Sequence, residues 1–162
     1  MIRNAFPSDR MALGHIYCET WKAAYRGMIP DGFLDALTDE TCAPPAVRED
    51  RTLVWEENGQ VVGLGHIGPG RDGAFADAGD IQSIYVLPSY WRSGIGKKLF
   101  AAAEERLLAL GFSRMYLWAL TDNTRARAFY ESMGMQMCGE RTISIGGAEL
   151  SETQYAKALA GQ

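Results

Sequence analysis

Two glycines, Gly94 and Gly96, lie between an apolar strand and an Ala/Leu-rich helix near the middle of the chain. Glycines in such a loop let several backbone N–H groups converge on one point, and the positive N-terminal end of the following helix favours an anion there. Lys97 and Lys98 open this helix, where their charge opposes the helix dipole unless an anion is bound. The pattern indicates a phosphate-binding loop. A plain strand-to-helix turn with two solvated lysines is the alternative.

The elements around this loop must bring it close to a second helix end. A strand predicted over residues 80–87 leads into the loop, a helix follows over about residues 97–110, and another strand covers residues 114–120. If the two strands are parallel neighbours joined by a right-handed crossover, the next helix, capped by Asp122 or Asn123, begins beside the loop. Such a crevice suits an elongated phosphorylated ligand.

The remaining elements complete a mixed α/β order. Outside the central unit we predict a strand at residues 2–6, a helix from Pro7, a short helix over residues 30–37, a mostly irregular segment at 38–50, a hairpin of strands 52–56 and 60–67, and two last strands near 135–145 and 148–159. No internal repeat or long linker divides the chain, so we expect one domain over residues 1–162.

The bulk composition limits the classes of function. With 162 residues, of which 47% are hydrophobic, the chain can form one full core. A net charge of −4 argues against a nucleic acid as the main partner. No apolar stretch approaches ~18 residues, no basic-then-apolar leader is present, and the three cysteines are widely spaced. We expect a cytoplasmic protein with no membrane partner and no metal site.

A second glycine pattern does not fit the site that it resembles. Residues 63–68 read Gly-Leu-Gly-His-Ile-Gly, which satisfies the dinucleotide fingerprint G-x-G-x-x-G. That fingerprint requires a helix directly after it, whereas Pro69 and a Gly/Asp-rich segment follow here. The pattern is therefore interpreted as part of a hairpin strand.

Two segments together resemble the GNAT superfamily of acetyl-CoA-dependent N-acetyltransferases. The first runs from Ile84 to Leu99 and contains the glycine loop, and the second reads Asn123-x-x-Ala126-x-x-Phe129-Tyr130-Glu131-x-x-Gly134-Met135. The resemblance spans most of the chain. It implies a mixed, mostly antiparallel central sheet with one parallel, splayed strand pair, flanked by helices. It also implies acetyl-CoA as cosubstrate, and a homodimer is a family-level expectation.

The resemblance assigns residues to cofactor binding. The family's phosphate loop, Gln/Arg-x-x-Gly-x-Gly/Ala, falls on residues 91–96, so Trp91 departs from the usual polar residue while both glycines remain. Main-chain groups of the preceding strand would pair with the pantetheine arm, and Asn123 would contact that arm near its end. The residues implied in cofactor binding are Ile84, Tyr85, Val86, Arg92, Ser93, Gly94, Ile95, Gly96, Lys97 and Asn123.

Acetyl transfer to an amine needs a neutral amine, support for the developing oxyanion and a proton for the departing sulfur. Tyr130 matches the family tyrosine that protonates the thiolate, and a core residue beside Phe129 is the alternative. The resemblance also makes Asp80 the candidate general base, acting directly or through water, because some protein-acetylating members of the superfamily carry a catalytic Glu at this position, six residues before Val86. A strand-end turn residue is the alternative. Other branches place a glutamate five residues before the asparagine, where this chain has Trp118.

Four residues are candidates for binding the acceptor: Trp21, Tyr25, Gln82 and Trp118, although aromatic residues at such places also form ordinary core. The predicted function is acetyl transfer to a primary amine of a small molecule, such as an amino acid, an amine or a polyamine. Direct attack in a ternary complex is expected, because no motif places a nucleophilic Cys or Ser. The alternatives are acetylation of a protein lysine or N-terminus, and a CoA-binding regulatory module without turnover.

Overall fold

A computed structural model describes residues 1–75 and 77–159 of the chain. The strands in this part are β1 (Ile2–Asn4), β2 (Thr52–Glu57), β3 (Gln60–Pro69), β4 (Gly79–Val86), β5 (Arg114–Leu120), β6 (Gln136–Ile145) and β7 (Ala148–Ala158). Its α-helices are α1 (Arg10–Ala24), α2 (Asp31–Asp35), α3 (Asp39–Cys42), α4 (Ile95–Ala109) and α5 (Thr124–Ser132). Three short 3-10 turns lie at residues 7–9, 73–75 and 88–90.

The described strands form one sheet in the order β1-β2-β3-β4-β5-β7-β6. Neighbouring strands are antiparallel except for β4 and β5, which run parallel. The element order predicted from the sequence is confirmed except for the one-turn helix α3, which lies in the segment predicted as mostly irregular. A mostly antiparallel sheet with a single parallel pair among the described strands is confirmed.

The parallel pair separates after two residue positions. Gly79 pairs with Met115 and Asp80 pairs with Tyr116, and the register of the two strands ends there. On its other side β5 stays paired with β7 along its whole length. A gap therefore opens between β4 and β5 toward the glycine loop.

A bulge in β4 explains where the strands part. Ile81 pairs with Ile67 of β3, and Ser83 pairs with His66. Two residues along β4 therefore correspond to one residue along β3, which leaves Gln82 as the extra, unpaired residue of the bulge. A bulge bends its own strand and increases the local twist. The part of β4 beyond Gln82 is therefore turned away from β5.

Helices cover both faces of the sheet, and adjacent residues of β4 show the two sides. Tyr85 packs with the cluster of α1, which includes Leu13 and Ile16, whereas Val86 packs with Ile95 and Leu99 of α4. The largest cluster lies under α4 and α5, where Phe100, Leu107, Met115 and Tyr155 are fully buried. The site described next lies where these layers meet at the gap.

Several element boundaries differ from the predicted ones by one or two residues. Helix α4 begins at Ile95 rather than Lys97, because Gly94 caps it with a φ of 87° and Ile95 is buried. The first strand ends at Asn4 rather than at residue 6. Residues 63–68 lie inside β3 as predicted, and a Cβ on Gly63 would lie 3.0 Å from Leu99 of α4.

Candidate active site

The glycine loop forms one end of a cleft of about 590 Å³. The first hydrogen bond of α4 runs from the Lys98 amide to the Gly94 carbonyl, so the amides of residues 95–97 have no acceptor within the helix. Space is open where a Cβ on Gly94 would project. Free amides and an open approach are what an anion at this helix end requires.

All ten residues predicted to bind the cofactor line this cleft. They are Ile84, Tyr85, Val86, Arg92, Ser93, Gly94, Ile95, Gly96, Lys97 and Asn123. The two lysines at the start of α4 separate, because neighbouring residues on a helix point in different directions. Lys97 lines the cleft, whereas the Lys98 ammonium lies 5.0 Å from the ring centroid of Trp55 on β2. Only one of the two therefore supports the phosphate interpretation.

Trp91, the departure from the family pattern, is held firmly in the cleft wall. Its indole Nε1 donates a hydrogen bond of 2.7 Å to the Val86 carbonyl, to which the Thr20 hydroxyl also donates at 3.3 Å. The guanidinium of Arg125, from the first turn of α5, lies 4.1 Å from the Trp91 ring centroid, and both residues line the cleft. The ring thus supports a cation beside the loop.

The register of β4 decides which main-chain groups face the gap. Leu87 donates its amide to the Val62 carbonyl of β3 at 2.9 Å. Because residues of an antiparallel strand alternate between facing their partner and facing away, the main chain of Tyr85 also faces β3, whereas those of Ile84 and Val86 face the gap. The prediction that Tyr85 offers main-chain groups to the cofactor arm is therefore corrected: its main chain faces β3, although the residue lines the cleft.

Tyr130 lies where two cavities meet. It lines the large cleft and also a cavity of about 40 Å³ in the gap between β4 and β5. Its ring packs on Phe100 and Phe129, with centroids 6.3 Å and 5.5 Å away. Burial, and then the neighbouring Tyr85 phenol, raises the pKa of Tyr130 above its ordinary value. Within the described chain its hydroxyl makes no hydrogen bond, so a protonated phenol is free at this junction.

Asn123 has a structural task as well as a place in the cleft. Its side-chain oxygen accepts a hydrogen bond of 3.2 Å from the Ala126 amide and so caps α5. The capping bond uses the carbonyl end of the side chain. The NH₂ end remains as a donor toward the cavities that Asn123 lines.

Three of the four predicted acceptor residues surround the smaller cavity. Tyr25, Gln82 and Trp118 line it together with Tyr130. The Trp118 indole N–H is buried and has no hydrogen-bond partner in the described part of the chain. An orphaned buried donor at a cavity wall is the kind of group that a bound polar ligand satisfies.

Trp21, the fourth predicted acceptor residue, lines neither cavity. Its indole Nε1 donates to the Tyr85 hydroxyl at 3.1 Å, and its ring lies edge-on to Tyr25 with centroids 5.0 Å apart. The prediction that Trp21 touches the acceptor is therefore corrected to a supporting position. The side chain fixes two tyrosines that do line the site.

The structure does not bring Asp80 into either cavity. Its carboxylate is 1% exposed; Oδ2 accepts bonds from Arg71 Nε at 2.6 Å and from the Tyr116 hydroxyl at 3.3 Å. Burial raises the pKa of Asp80 more than the Arg71 guanidinium lowers it. A base role for Asp80 stays a prediction, and from this position a proton would have to reach it through an intervening group.

Two residues of the last hairpin near the acceptor gap were not among the predicted site residues. Arg141 lies with its guanidinium 4.1 Å from the Trp118 ring centroid and bonds to Glu152 at 2.8 Å. The pKa of the Tyr25 phenol is raised mainly by burial and then by the neighbouring Tyr85 phenol, and the negative charge of Glu152 makes a smaller contribution in the same direction. In the sequence, the alternation of side chains around these two residues looks like that of any exposed hairpin. Their place near the acceptor residues is visible only from the contacts in the structure.

One polar group lies away from the cleft. The side chains of His15, Glu19 and Asp39 bring their ligand-type atoms within 4.8 Å of one another on the surface of α1 and α3. His15 Nδ1 lies 2.9 Å from Asp39 Oδ2, which is an ordinary hydrogen-bond distance. Sequence spacing misses this group because Asp39 comes from another helix.

The sequence model of the Acetyltransferase (GNAT) family matches residues 14–135. The chain belongs to the GNAT family. A relative in Bacillus subtilis, the uncharacterized N-acetyltransferase YuaI, is 27% identical over 154 residues, which is 93% of this chain and 88% of the relative. No helix in the described residues has the length and apolar character needed to cross a membrane.

Solved GNAT-like structures share the fold across almost the whole chain. PaiA N-acetyltransferase of Thermoplasma acidophilum, in complex with coenzyme A, gives a TM-score of 0.79 at 18% identity and covers 98% of both chains. A ribosomal-protein-alanine N-acetyltransferase of Brucella melitensis gives 0.75 at 24% identity, covering 98% of this chain and 99% of its own. The identities are low, so these similarities establish the fold.

Acetyl-CoA is the cosubstrate of this GNAT enzyme. The residues present fit it. The amides at the start of α4 and the Lys97 side chain can hold an anion, and the main chain of Ile84 together with the Val86 amide offers partners for an amide-bearing chain. The Val86 carbonyl already accepts hydrogen bonds from Trp91 and Thr20. The cleft connects both features to Tyr130.

Proposed function

We propose that this N-acetyltransferase moves the acetyl group of acetyl-CoA to a primary amine of a small molecule, by direct attack in a ternary complex. The observation that carries the proposal is the position of Tyr130, which lines both the cofactor cleft and the cavity between β4 and β5. A donor placed there can serve a reaction between one ligand in each cavity.

The cofactor is held by the amides of residues 95–97, by Lys97, by the main chain of Ile84 and by the amide of Val86. This arrangement sets an extended ligand along β4, with its anionic part at α4 and its other end at the gap. The Asn123 NH₂ group donates to the arm close to Tyr130. Positioning of this kind lowers the barrier because the reacting atoms no longer have to find each other.

The chemical step needs one proton donor and one proton acceptor. The amine nitrogen attacks the thioester carbonyl carbon, the carbon–sulfur bond breaks, and the sulfur takes the hydroxyl proton of Tyr130. A phenol is protonated at neutral pH, so Tyr130 has a proton to give. Its raised pKa makes it a weaker acid than a free phenol, so the transfer depends on the negative charge that develops on the sulfur as the carbon–sulfur bond breaks. The amine's own proton leaves to solvent or, through an intervening group, to Asp80, and the Tyr130 phenolate regains a proton from solvent.

The acceptor enters through the gap and lies against Tyr25, Gln82 and Trp118. The orphaned N–H of Trp118 supports a polar acceptor, since a ligand oxygen there would satisfy it. The cavity of about 40 Å³ accommodates the amine-bearing end of a small ligand. A single amine group delivered by a larger molecule has the same requirement.

A protein amine is therefore the second candidate acceptor. The observation that favours it is the shared fold with structures named ribosomal-protein-alanine N-acetyltransferases. The cavity of about 40 Å³ admits an amine group from either source and does not discriminate between the two candidates. Both candidates use the same chemistry at Tyr130.

The test is thiol release from acetyl-CoA with two panels of acceptors at equal concentration. One panel holds amino acids, aliphatic amines and polyamines, and the other holds peptides with free N-termini or lysines. We expect a small amine to give the highest kcat/KM, with intersecting initial-velocity patterns. Release only with peptides would establish the second candidate instead. If neither panel releases thiol although CoA raises Tm, the turnover proposal fails.

A further inference from the structure

The structure places one cation beside the glycine loop that the family pattern does not supply. Arg125 is the second residue of α5 and is exposed to the cleft, and its guanidinium lies 4.1 Å from the ring centroid of Trp91. A guanidinium stacked on an indole is attracted by the ring and restricted in orientation. The side chain is thus held in place before any ligand binds.

Trp91 itself is anchored, so the stack has a fixed base. Its Nε1 bond of 2.7 Å to the Val86 carbonyl ties the ring to the end of β4. Its other contacts are to the cluster of Ile95 and Leu99 under α4. The orientation of Arg125 therefore depends on an element that also carries the phosphate loop.

The hydrogen-bonding groups of Arg125 are unused. Within residues 1–75 and 77–159 it makes no hydrogen bond or ion pair, whereas Arg127, two residues later, bonds to the Tyr155 hydroxyl and the Thr121 carbonyl. Five N–H donors in a planar fork match phosphate oxygens in particular. A cation in the first turn of α5 also opposes the helix dipole, as Lys97 does on α4.

Two helix ends thus direct cations at one cleft, and neither first turn contains an acid. We propose that Arg125 is a pyrophosphate-binding residue for acetyl-CoA and that Trp91 is its positioning residue. The aromatic residue at position 91 gives up a direct polar contact and instead holds an arginine from α5 over the same anion. The inference rests on the proposed seating of the cofactor along β4 and α4.

The experiment measures CoA affinity by calorimetry, which needs no turnover. We expect Arg125→Ala to raise the Kd of CoA about tenfold, or about 1.4 kcal/mol, and Arg125→Lys to raise it less. Lys98→Ala is the matched control: it removes one positive charge next to the loop but outside the cleft, and we expect less than a twofold change. A Kd of Arg125→Ala within twofold of the wild type overturns the proposal.

Two further comparisons separate this role from a structural one. With 3′-dephospho-CoA the loss caused by Arg125→Ala should persist, and its disappearance would overturn the assignment to the pyrophosphate. The Tm of free Arg125→Ala should equal or exceed that of the wild type, since a cation leaves a helix N-terminus. A lower Tm together with an unchanged Kd would mean a structural role.

The positioning role of Trp91 is tested with Trp91→Phe and Trp91→Arg. The phenylalanine variant keeps a ring for stacking, and its Kd should stay within about threefold of wild type. In the Arg125→Ala background, Trp91→Arg should restore at least half of the lost binding free energy, because it returns a guanidinium to the loop. No restoration in a folded double variant contradicts the proposal. If wild type itself does not bind CoA, the proposed cofactor seat is wrong instead.

Discussion

Tyr85 and Tyr130 face the same gap between β4 and β5, and after burial it is the Tyr85 phenol that raises the pKa of Tyr130. The two tyrosines come from elements on opposite sides of the gap. Trp21 donates to the Tyr85 hydroxyl, so that phenol is oriented from the α1 side. Tyr130 keeps its own hydroxyl free and protonated, as a proton donor requires.

Ionisation of Tyr130 should not lower kcat on the alkaline side of the pH profile. Because its pKa is raised, the phenol remains protonated up to and beyond its ordinary value near 10. We expect kcat to stay level or to rise between pH 7 and 9.5, as more of the acceptor amine becomes neutral. Measurement of kcat at saturating substrates over this range checks it. A fall with a midpoint below pH 9 that Tyr130→Phe abolishes would contradict the raised pKa.

Two substitutions of Asn123 separate its capping of α5 from its proposed contact with the cofactor. Asn123→Asp keeps the capping oxygen of α5 but removes the NH₂ donor, whereas Asn123→Ala removes both. We expect the alanine variant to lose about 1 kcal/mol of stability, and the aspartate variant to lose little. Both should bind CoA about tenfold more weakly, which calorimetry measures. Wild-type CoA affinity in Asn123→Asp would leave Asn123 as a cap alone.

Replacement of Asp80 should change the pH dependence of the free energy of unfolding more than it changes kcat. Its pKa in the folded state is raised from 3.8, so the folded protein holds this proton more tightly than the unfolded chain does. The stability that Asp80 contributes is complete below pH 3.8 and is lost as the pH rises through the folded-state pKa.

Asp80→Asn removes this titration, so its free energy of unfolding relative to wild type should rise between pH 4 and pH 7.5 in urea titrations. We expect kcat of Asp80→Asn to stay within about fivefold of wild type. A hundredfold loss in a folded variant would instead establish Asp80 as the route for the amine's proton.

Substitution of Trp118 should weaken binding of the acceptor and leave binding of CoA unchanged. Trp118→Phe removes the orphaned N–H and keeps most of the ring that Arg141 stacks on. We expect the acceptor KM to rise about fivefold to tenfold, since one hydrogen bond to the acceptor is lost. The Kd of CoA should not change. Equal changes in both constants would mean that Trp118 shapes the whole gap rather than one contact.

The fold was predictable because local signals agreed along the chain. Gly94 was readable since only glycine easily adopts its φ of 87°, and the spacing from Asn123 to Tyr130 placed both on one side of α5. The hairpin turn at Asn58-Gly59 is equally local, and both residues have positive φ. Such features depend on a few neighbouring residues.

The positions of other side chains depend on packing between distant segments. Trp21 and Tyr25 lie one helical turn apart on the same face, and the position of α1 against the sheet decides that only Tyr25 reaches the cavity. Asp80 is sealed by Arg71 from a preceding loop. Arg125 and Trp91 are 34 residues apart in the sequence, and no sequence pattern predicts their contact.

Tyr130→Phe tests the central claim most directly, with kcat and the Kd of CoA measured on the same preparation. We expect kcat to fall about a hundredfold, a typical contribution of a positioned proton donor, while the Kd of CoA stays within twofold. Tyr17→Phe is the control: Tyr17 lines neither cavity, although its hydroxyl donates to Ser83 in the wall of the smaller one, and we expect both constants to stay within about twofold of wild type. If Tyr130→Phe turns over as fast as wild type, Tyr130 is not the proton donor and the account of the junction is wrong.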